Sequence, residues 1–249
     1  RNLLLNGVGS KTMVSNNVNI CEDIRIEDGS LTLANGFTVT VNRNFILTSG
    51  TVNLAQNGTV TVASNMTLSA GTLNGATNST IELQGNLSRG STSVNLGTST
   101  ILELAGSSQQ QITGSFVSGN ELGSLTMNNA SGVLLNNDVE VKGTLRLTDG
   151  IITTSRPTVQ NPISTAGAEL FLSTAATTTG VSDTSYVNGM LTKRSLGTSS
   201  NFTFPVGQSG FSAPLKVSNP TVVTNWTVFY KYNNPQNLSD NINFGAART

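Results

Sequence analysis

The stretch "TSGTVNLAQNGTVTVASNMTLSAGTLNG", residues 48–75, begins again before it ends: "SGTVN" at 49–53 returns as "AGTLN" at 70–74, an interval of 21 residues. Stepping by 21 from Val39 and Val41 reaches Val60 and Val62, then Ile81 and Leu83, then Leu102 and Leu104; one step back lie Val18 and Ile20. Leu31 and Leu33 lead in the same way to Val52 and Leu54, Leu73 and Gly75, and Val94 and Leu96. A third column runs Ile24, Phe45, Met66, Leu87, and its partner runs Ile26, Leu47, Leu68 before failing at Arg89.

Each 21-residue unit therefore holds three segments with apolar residues two apart, the period of a β-strand. Gly29, Gly50 and Gly71 precede one strand, and Asn44, Asn65 and Asn86 another. Gly adopts the positive φ of a tight corner freely and Asn tolerates it. Three strands and three corners, repeated in register, predict a coil whose turns stack: a parallel β-helix, right-handed as parallel crossovers are. Stacked turns lie about 4.8 Å apart, so position i meets i+21 in an inner ladder. A buried Val or Leu contributes roughly 1.5–3 kcal/mol there, but only with turns above and below it.

The outward positions follow the same logic. Ser30, Thr51, Thr72 and Ser93 form one ladder, and Thr32, Asn53, Asn74 and Asn95 another. Hydroxyls and amides can hydrogen-bond along such ladders, whereas charges repel their own copies one turn away. Charged residues make up only 10% of the 249-residue chain, and the 13 basic and 13 acidic side chains cancel. That balance argues against a nucleic-acid partner, and the strict apolar spacing argues against disorder. No run approaches the ~20 apolar residues of a membrane-spanning helix. The opening "RNLLLNGVGS" has no initiating Met and no signal-peptide layout, which reads as a piece of something longer and is compatible with export.

A longer repeat is superimposed on the short one. "NICEDIRIEDGSLT" (19–32) reappears as "EVKGTLRLTDGIIT" (140–153), so a second β-helical module is expected to begin near residue 123. The first module would span 1–122 and the start of the second 123–155, with 106–123 an irregular coil or protruding loop. All six prolines and most aromatics fall after residue 155, and Pro cannot donate to a central ladder. "NFTFPVG" (201–207) and "NWTVFYKY" (225–232) alternate like conventional antiparallel strands. Residues 156–249 therefore read as an antiparallel, β-sandwich-like cap in which the stacked coil loosens or stops, covering an otherwise open end.

"SLTMNNASGVLLNNDVEVKGTLRLTDGIITT" (124–154), "SYVNGMLTKR" (185–194) and "FTFPVGQSGFSAPLKV" (202–217) together resemble a recurrent segment of very large secreted surface proteins of Bacteroidetes, similar to adhesins and gliding-associated filaments exported by the type IX secretion system. The resemblance implies export to the bacterial cell surface and contact with the secretion machinery. It also implies further modules in the parent chain. No C-terminal sorting domain of that family is visible in the sequence.

Side chains that could carry chemistry are sparse. There is no His, and Cys21 alone can form neither an intrachain disulfide nor a thiolate-built metal site. No catalytic, cofactor-binding or metal-binding residue is assigned. Glu82 and Glu103, one period apart and both outward, read as a tolerated surface pair in preference to a cation site or a glycosidase pair, since no basic column accompanies them. Arg89 at an inward position marks a bend in preference to a site. Glu22, Asp23, Glu27 and Asp28 read as a solvated turn, without the spacing of a calcium loop.

Thr38 and Thr40 over Thr59 and Thr61 give two rungs of a threonine face, which Thr80 with Glu82 and Thr100 with Glu103 then end; two rungs are too few to template ice. Asn-X-Ser/Thr triplets at Asn57, Asn65, Asn201 and Asn225 are expected by chance in so Asn-, Ser- and Thr-rich a chain. Aromatics such as Trp226, Phe229, Tyr230 and Tyr232 read as the core of the small cap, with sugar stacking the alternative. The expected function is a non-enzymatic stiff segment of a surface adhesin or filament, with a polysaccharide or protein as the ligand; the alternative is a carbohydrate-active or carbohydrate-binding β-helix.

Overall fold

The computed structural model describes residues 1–14, 17–155 and 167–231. It is an all-β parallel solenoid whose strands lie on three faces. The first face is a single nine-stranded sheet, from Leu3–Leu5 through Ile24–Ile26, Phe45–Leu47, Met66–Leu68, Leu87–Arg89, Gln110–Thr113, Val133–Leu135 and Ile152–Thr154 to Val187–Asn188. The third face has eight strands, starting at Val18–Ile20 and ending at Thr177–Thr179. Eight coils thus stack, and a ninth begins.

The inner ladder is as the spacing demands. Val39 pairs with Val60 and Val60 with Ile81, followed by Leu102, Leu125 and Leu145, and all six are buried. The second column, Val41, Val62, Leu83, Leu104, Met127 and Leu147, is buried equally well. Alternation in a strand sends every second side chain inward, so three short strands per coil supply about six apolar contacts to one continuous core.

The corners explain the fixed repeat. Gly29, Gly50 and Gly71 have φ of 74°, 76° and 90° and stack directly on one another. A Cβ on Gly50 would lie 2.3 Å from the carbonyl oxygen of Gly29. Asn44, Asn65 and Asn86 work differently from expectation: they are absent from the left-handed residues, which include Asn17, Asn57 and Asn78. Their side-chain oxygens instead accept a backbone N–H from the next coil. Asn44 Oδ1 takes Asn65 N–H at 3.2 Å, Asn65 takes Asn86 at 2.9 Å, and Asn86 takes Gln111 at 2.8 Å. A corner N–H that would otherwise be unpaired is thereby satisfied at each turn.

The second face is interrupted. Five strands, Ser10–Met13 to Ser93–Asn95, form one sheet, and Val139–Val141, Leu170–Leu172 and Leu191–Leu196 form another. Between them the segment around 114–122 makes only two isolated bridges, Phe116 to Val139 and Leu122 to Val141. Residues 106–123 therefore form an irregular coil that stays in the stack, with Gln110–Thr113 held in the first face.

Parallel stacking also runs past residue 155, which the proline argument did not anticipate. Val139–Val141 pairs with Leu170–Leu172 and that strand with Leu191–Leu196, all parallel. Pro157, Pro162 and Pro235 lie outside the described residues. Pro205 sits after the strand Asn201–Phe204, and its carbonyl accepts Val187 N–H at 2.8 Å. Antiparallel pairing begins where Thr224–Val228 joins Leu191–Leu196, and continues in the hairpin-like pairs of 201–218. Phe202, Phe204, Val206 and Val228 join the solenoid's own core, so this region covers the last coils.

Candidate functional site

The outward column containing Glu82 and Glu103 reads Thr40, Thr61, Glu82, Glu103, Thr126, Arg146 in register. The two carboxylates are direct neighbours on adjacent strands. Thr61 Oγ1 approaches Glu82 at 3.5 Å, and Asn128 Nδ2 donates to Glu103 at 2.8 Å. They lie on the outer face of a sheet. Arg146 stands two rungs beyond Glu103, a neighbour that the 21-residue count missed because the repeat length changes there. The adjoining threonine column continues Thr59, Thr80, Ile101; Thr100 is buried and its hydroxyl donates to Ala76 O at 3.1 Å.

Each acidic residue of the 22–28 turn whose contacts the structure gives has a local use. Asp23 takes the ladder position of the corner asparagines and accepts Asn44 N–H at 2.9 Å. Arg25 pairs with Glu27 at 2.7 Å, and Asp28 accepts Gly29 N–H at 2.7 Å. Cys21 is an exposed free thiol. Among the described residues no three His, Cys, Asp or Glu side chains gather around a common point, and no helix is long and apolar enough to cross a membrane.

Buried and half-buried polar groups cluster where the coil pattern is broken; the sequence reading had the half-buried Arg89 among them but missed the buried Gln110, Lys193, Glu140 and Glu169. Arg89 fills the column of Ile26, Leu47 and Leu68, and its guanidinium donates to Thr92 O at 2.7 Å and Ser115 O at 2.6 Å. It also lies 5.9 Å from the Phe116 ring centre, and burial lowers its pKa. The guanidinium ties the irregular coil to the regular one. Gln110, at the far end of the neighbouring strand, is buried and satisfies the carbonyls of Leu83 and Gly85 and the N–H of Gly106.

Lys193 is the second such cation. It follows Val141 and Leu172 in an inward column and is only 2% exposed. Its ammonium donates to Ser173 O at 2.6 Å, Thr174 O at 2.9 Å and Ala176 O at 2.6 Å, three carbonyls of one turn. The Phe202 ring of the cap lies 4.9 Å from Nζ. Burial pushes this lysine down to about 8. The alternation of "MLTKR" would have placed it inward had the register been known.

Alongside it, Glu140 is buried and accepts from Ser173 Oγ at 2.6 Å and Arg194 Nε at 2.9 Å, while Arg194 stacks 4.4 Å over Phe171. Thr192 donates to the buried Glu169 and meets Thr227 of the antiparallel strand. These groups are spent on one another and on backbone carbonyls, so the cluster fastens the end of the stack.

The aromatics divide. Phe202 and Phe204 meet edge to face at 4.9 Å within the core, and Tyr186 is buried with its hydroxyl accepting Gly210 N–H at 3.0 Å. Trp226 and Tyr230 are partly buried against that core, Phe211 is exposed, and Tyr232 lies outside the described residues. Of the glycosylation-type triplets, Asn65 is committed to the corner ladder and Asn225 accepts Ser195 N–H at 2.8 Å. No protein family, curated protein or solved structure matches the chain.

Proposed function

We propose that this chain is a non-enzymatic structural segment of a secreted bacterial surface adhesin or filament, a stiff spacer that holds binding regions away from the cell. The supporting observation is the uninterrupted nine-stranded first face, in register from Leu3–Leu5 to Val187–Asn188. At ~4.8 Å per strand that sheet extends roughly 40 Å. Bending such a stack requires opening a continuous backbone ladder and a dry core together. The neutral outward ladders suit a long surface element, because stacked like charges would oppose every added coil. The resemblance of 124–217 to modules of Bacteroidetes type IX substrates supports the surface location, further modules in the parent chain and passage through the secretion machinery. The ligand class is a cell-surface or extracellular polysaccharide or protein.

The test is incubation of the purified chain with a panel of polysaccharides, followed for new reducing ends, with immunolabelling of intact producing cells beside it. The expected outcome is no turnover and surface label. Turnover abolished by Glu82→Gln would overturn the reading in favour of a carbohydrate-active β-helix, and binding without turnover that is lost in Trp226→Ala would make the chain itself a sugar-binding module.

A further inference from the structure

The three faces of the solenoid differ in what they present to solvent. Arg25 stands outward on the first face, and Glu82, Glu103 and Arg146 on the third. The second face carries no charge on its inner strands Ser30–Leu33, Thr51–Asn53, Thr72–Asn74 and Ser93–Asn95. Its outward residues are a hydroxyl column from Ser30 to Ser93 and a second column from Thr32 through Asn53 and Asn74 to Asn95. None of these side chains is apolar. The neutrality reaches past the strands, since no Asp, Glu, Lys or Arg occurs between Arg43 and Glu82.

The amides of the second column are held in fixed directions. Asn53 Nδ2 donates to Thr32 Oγ1 at 3.1 Å, Asn74 Nδ2 to Asn53 Oδ1 at 2.8 Å, and Asn95 Nδ2 to Asn74 Oδ1 at 3.0 Å. A primary amide has two N–H groups, so Asn74 and Asn95 each keep one that the ladder does not use. The hydroxyls of Thr51, Thr72 and Ser93 take no part in a side-chain hydrogen bond among the described residues. Rungs recur every ~4.8 Å, and the two columns lie about 6.6 Å apart along the strand. The strip is thus a regular lattice of donors and acceptors, and its amides are ordered before any partner arrives.

We propose that this strip binds an extended, neutral polysaccharide. A sugar hydroxyl both donates and accepts, as do the hydroxyls and amides of the strip. A neutral chain is desolvated onto such a surface at the cost of hydrogen bonds that the strip replaces, whereas an acidic polymer finds no cation there to pair with. A protein partner finds neither the apolar anchors nor the charges on which a stable interface depends. Nucleic acid finds no cation for its phosphates. One strip has no aromatic ring to stack on a sugar, so its contact is weak, and strips repeated along one polymer multiply it. That repetition rests on the proposed role of the chain as one module among several; the contact itself does not.

Retention of the purified chain on insoluble cellulose, chitin and mannan, with alginate beads as the acidic control, tests it. The expected result is retention on at least one neutral polymer, none on alginate, and no change up to about 1 M salt. Thr72→Lys sets a charge in the middle of the strip and is expected to weaken retention about ten-fold or more. Thr72→Val removes a hydroxyl from a position that keeps its strand preference, and is expected to weaken it about three- to five-fold. Both substitutions point outward, so circular dichroism and melting temperature are expected to hold. Thr67→Lys, outward on the first face, is expected to bind like the natural chain. No retention on any neutral polymer, retention on alginate alone, or retention that survives Thr72→Lys and fails in Trp226→Ala would overturn the proposal. Surface label on producing cells without retention on any polymer would leave the surface reading standing and strike this inference alone.

Discussion

Residues 24–104 and residues 110–196 stack on the same three faces under different rules of length. In the first region every paired residue is 21 away from its partner, as in Asn74 to Asn53. In the second, Ser88 faces Thr113 across an offset of 25, Thr144 meets Thr177 at 33, and Ser185 reaches Gly150 at 35. Yet Leu87 still lies over Ile112, Gln110 over Val133 and Ile152 over Val187. The solenoid therefore conserves the pairing of its strands and not the length of its repeat; extra residues leave at the corners, apart from one bulge where Met127 faces Leu147 and Asn128 faces Asp149. The regular region satisfies its corners with identical neutral groups, Gly on Gly and Asn on Asn. Where the repeat length changes there is no identical copy to stack on, and long polar side chains, Arg89 at the end of the regular region and Gln110 and Lys193 beyond it, reach the displaced carbonyls.

The sharpest challenge to that contrast is a matched pair of cavities. Leu83 and Leu135 are both fully buried, one in each region. Leu83→Ala and Leu135→Ala should each cost about 2–5 kcal/mol in urea unfolding. A Leu135→Ala cost below about 1 kcal/mol would mean that the irregular coils are only loosely attached to the core. Next in size is the corner test. Gly50→Ala puts a Cβ 2.3 Å from a stacked carbonyl at positive φ, whereas Gly119, also at positive φ, has open space around it. Thermal melts should show the first costing about 2–3 kcal/mol and the second about 1 kcal/mol.

A third test concerns the buried cation. Lys193 titrates at about 8 when folded and near 10.4 when unfolded, so between these values the unfolded chain holds more protons. Stability should rise with pH across that window, by at most about 1.4 kcal/mol per unit. Chemical unfolding at pH 7 to 10 should show the rise in the natural chain and its absence in Lys193→Met. The smallest effect is expected on the outer face, where Glu82→Gln removes one of two directly opposed charges. It should stabilise by up to about 1 kcal/mol at low ionic strength, and the gain should vanish in high salt.

The same contrast explains what the sequence could disclose. Where the repeat is constant, the inward columns, the glycine corners and the neutral ladders can all be read by counting. Where it varies, counting in steps of 21 lands on the wrong partner: it could not place Arg146 near Glu103, or Leu172 and with it Lys193 in the column of Val141. The prolines after 155 suggested an end to stacking, but a parallel solenoid accommodates Pro205 between strands, where no ladder N–H is required of it. The corner asparagines were found at the right positions with the wrong role, because a side-chain acceptor and a left-handed backbone leave the same residue in the sequence. Buried polar groups were the least legible, since a lysine drawn inward by register looks no different from one in solvent.

The claim that register outlives repeat length is best tested by disulfide trapping in a Cys21→Ser background. Ser88 and Thr113 are paired across adjacent strands, within the Cα separation of about 4.4–6.8 Å that a disulfide spans. Ser88→Cys with Thr113→Cys should oxidise to an intramolecular disulfide, and Ser88→Cys with Gln109→Cys, the partner that a constant step of 21 would select, should stay reduced. Preferential trapping of the pair with Gln109 would contradict the account.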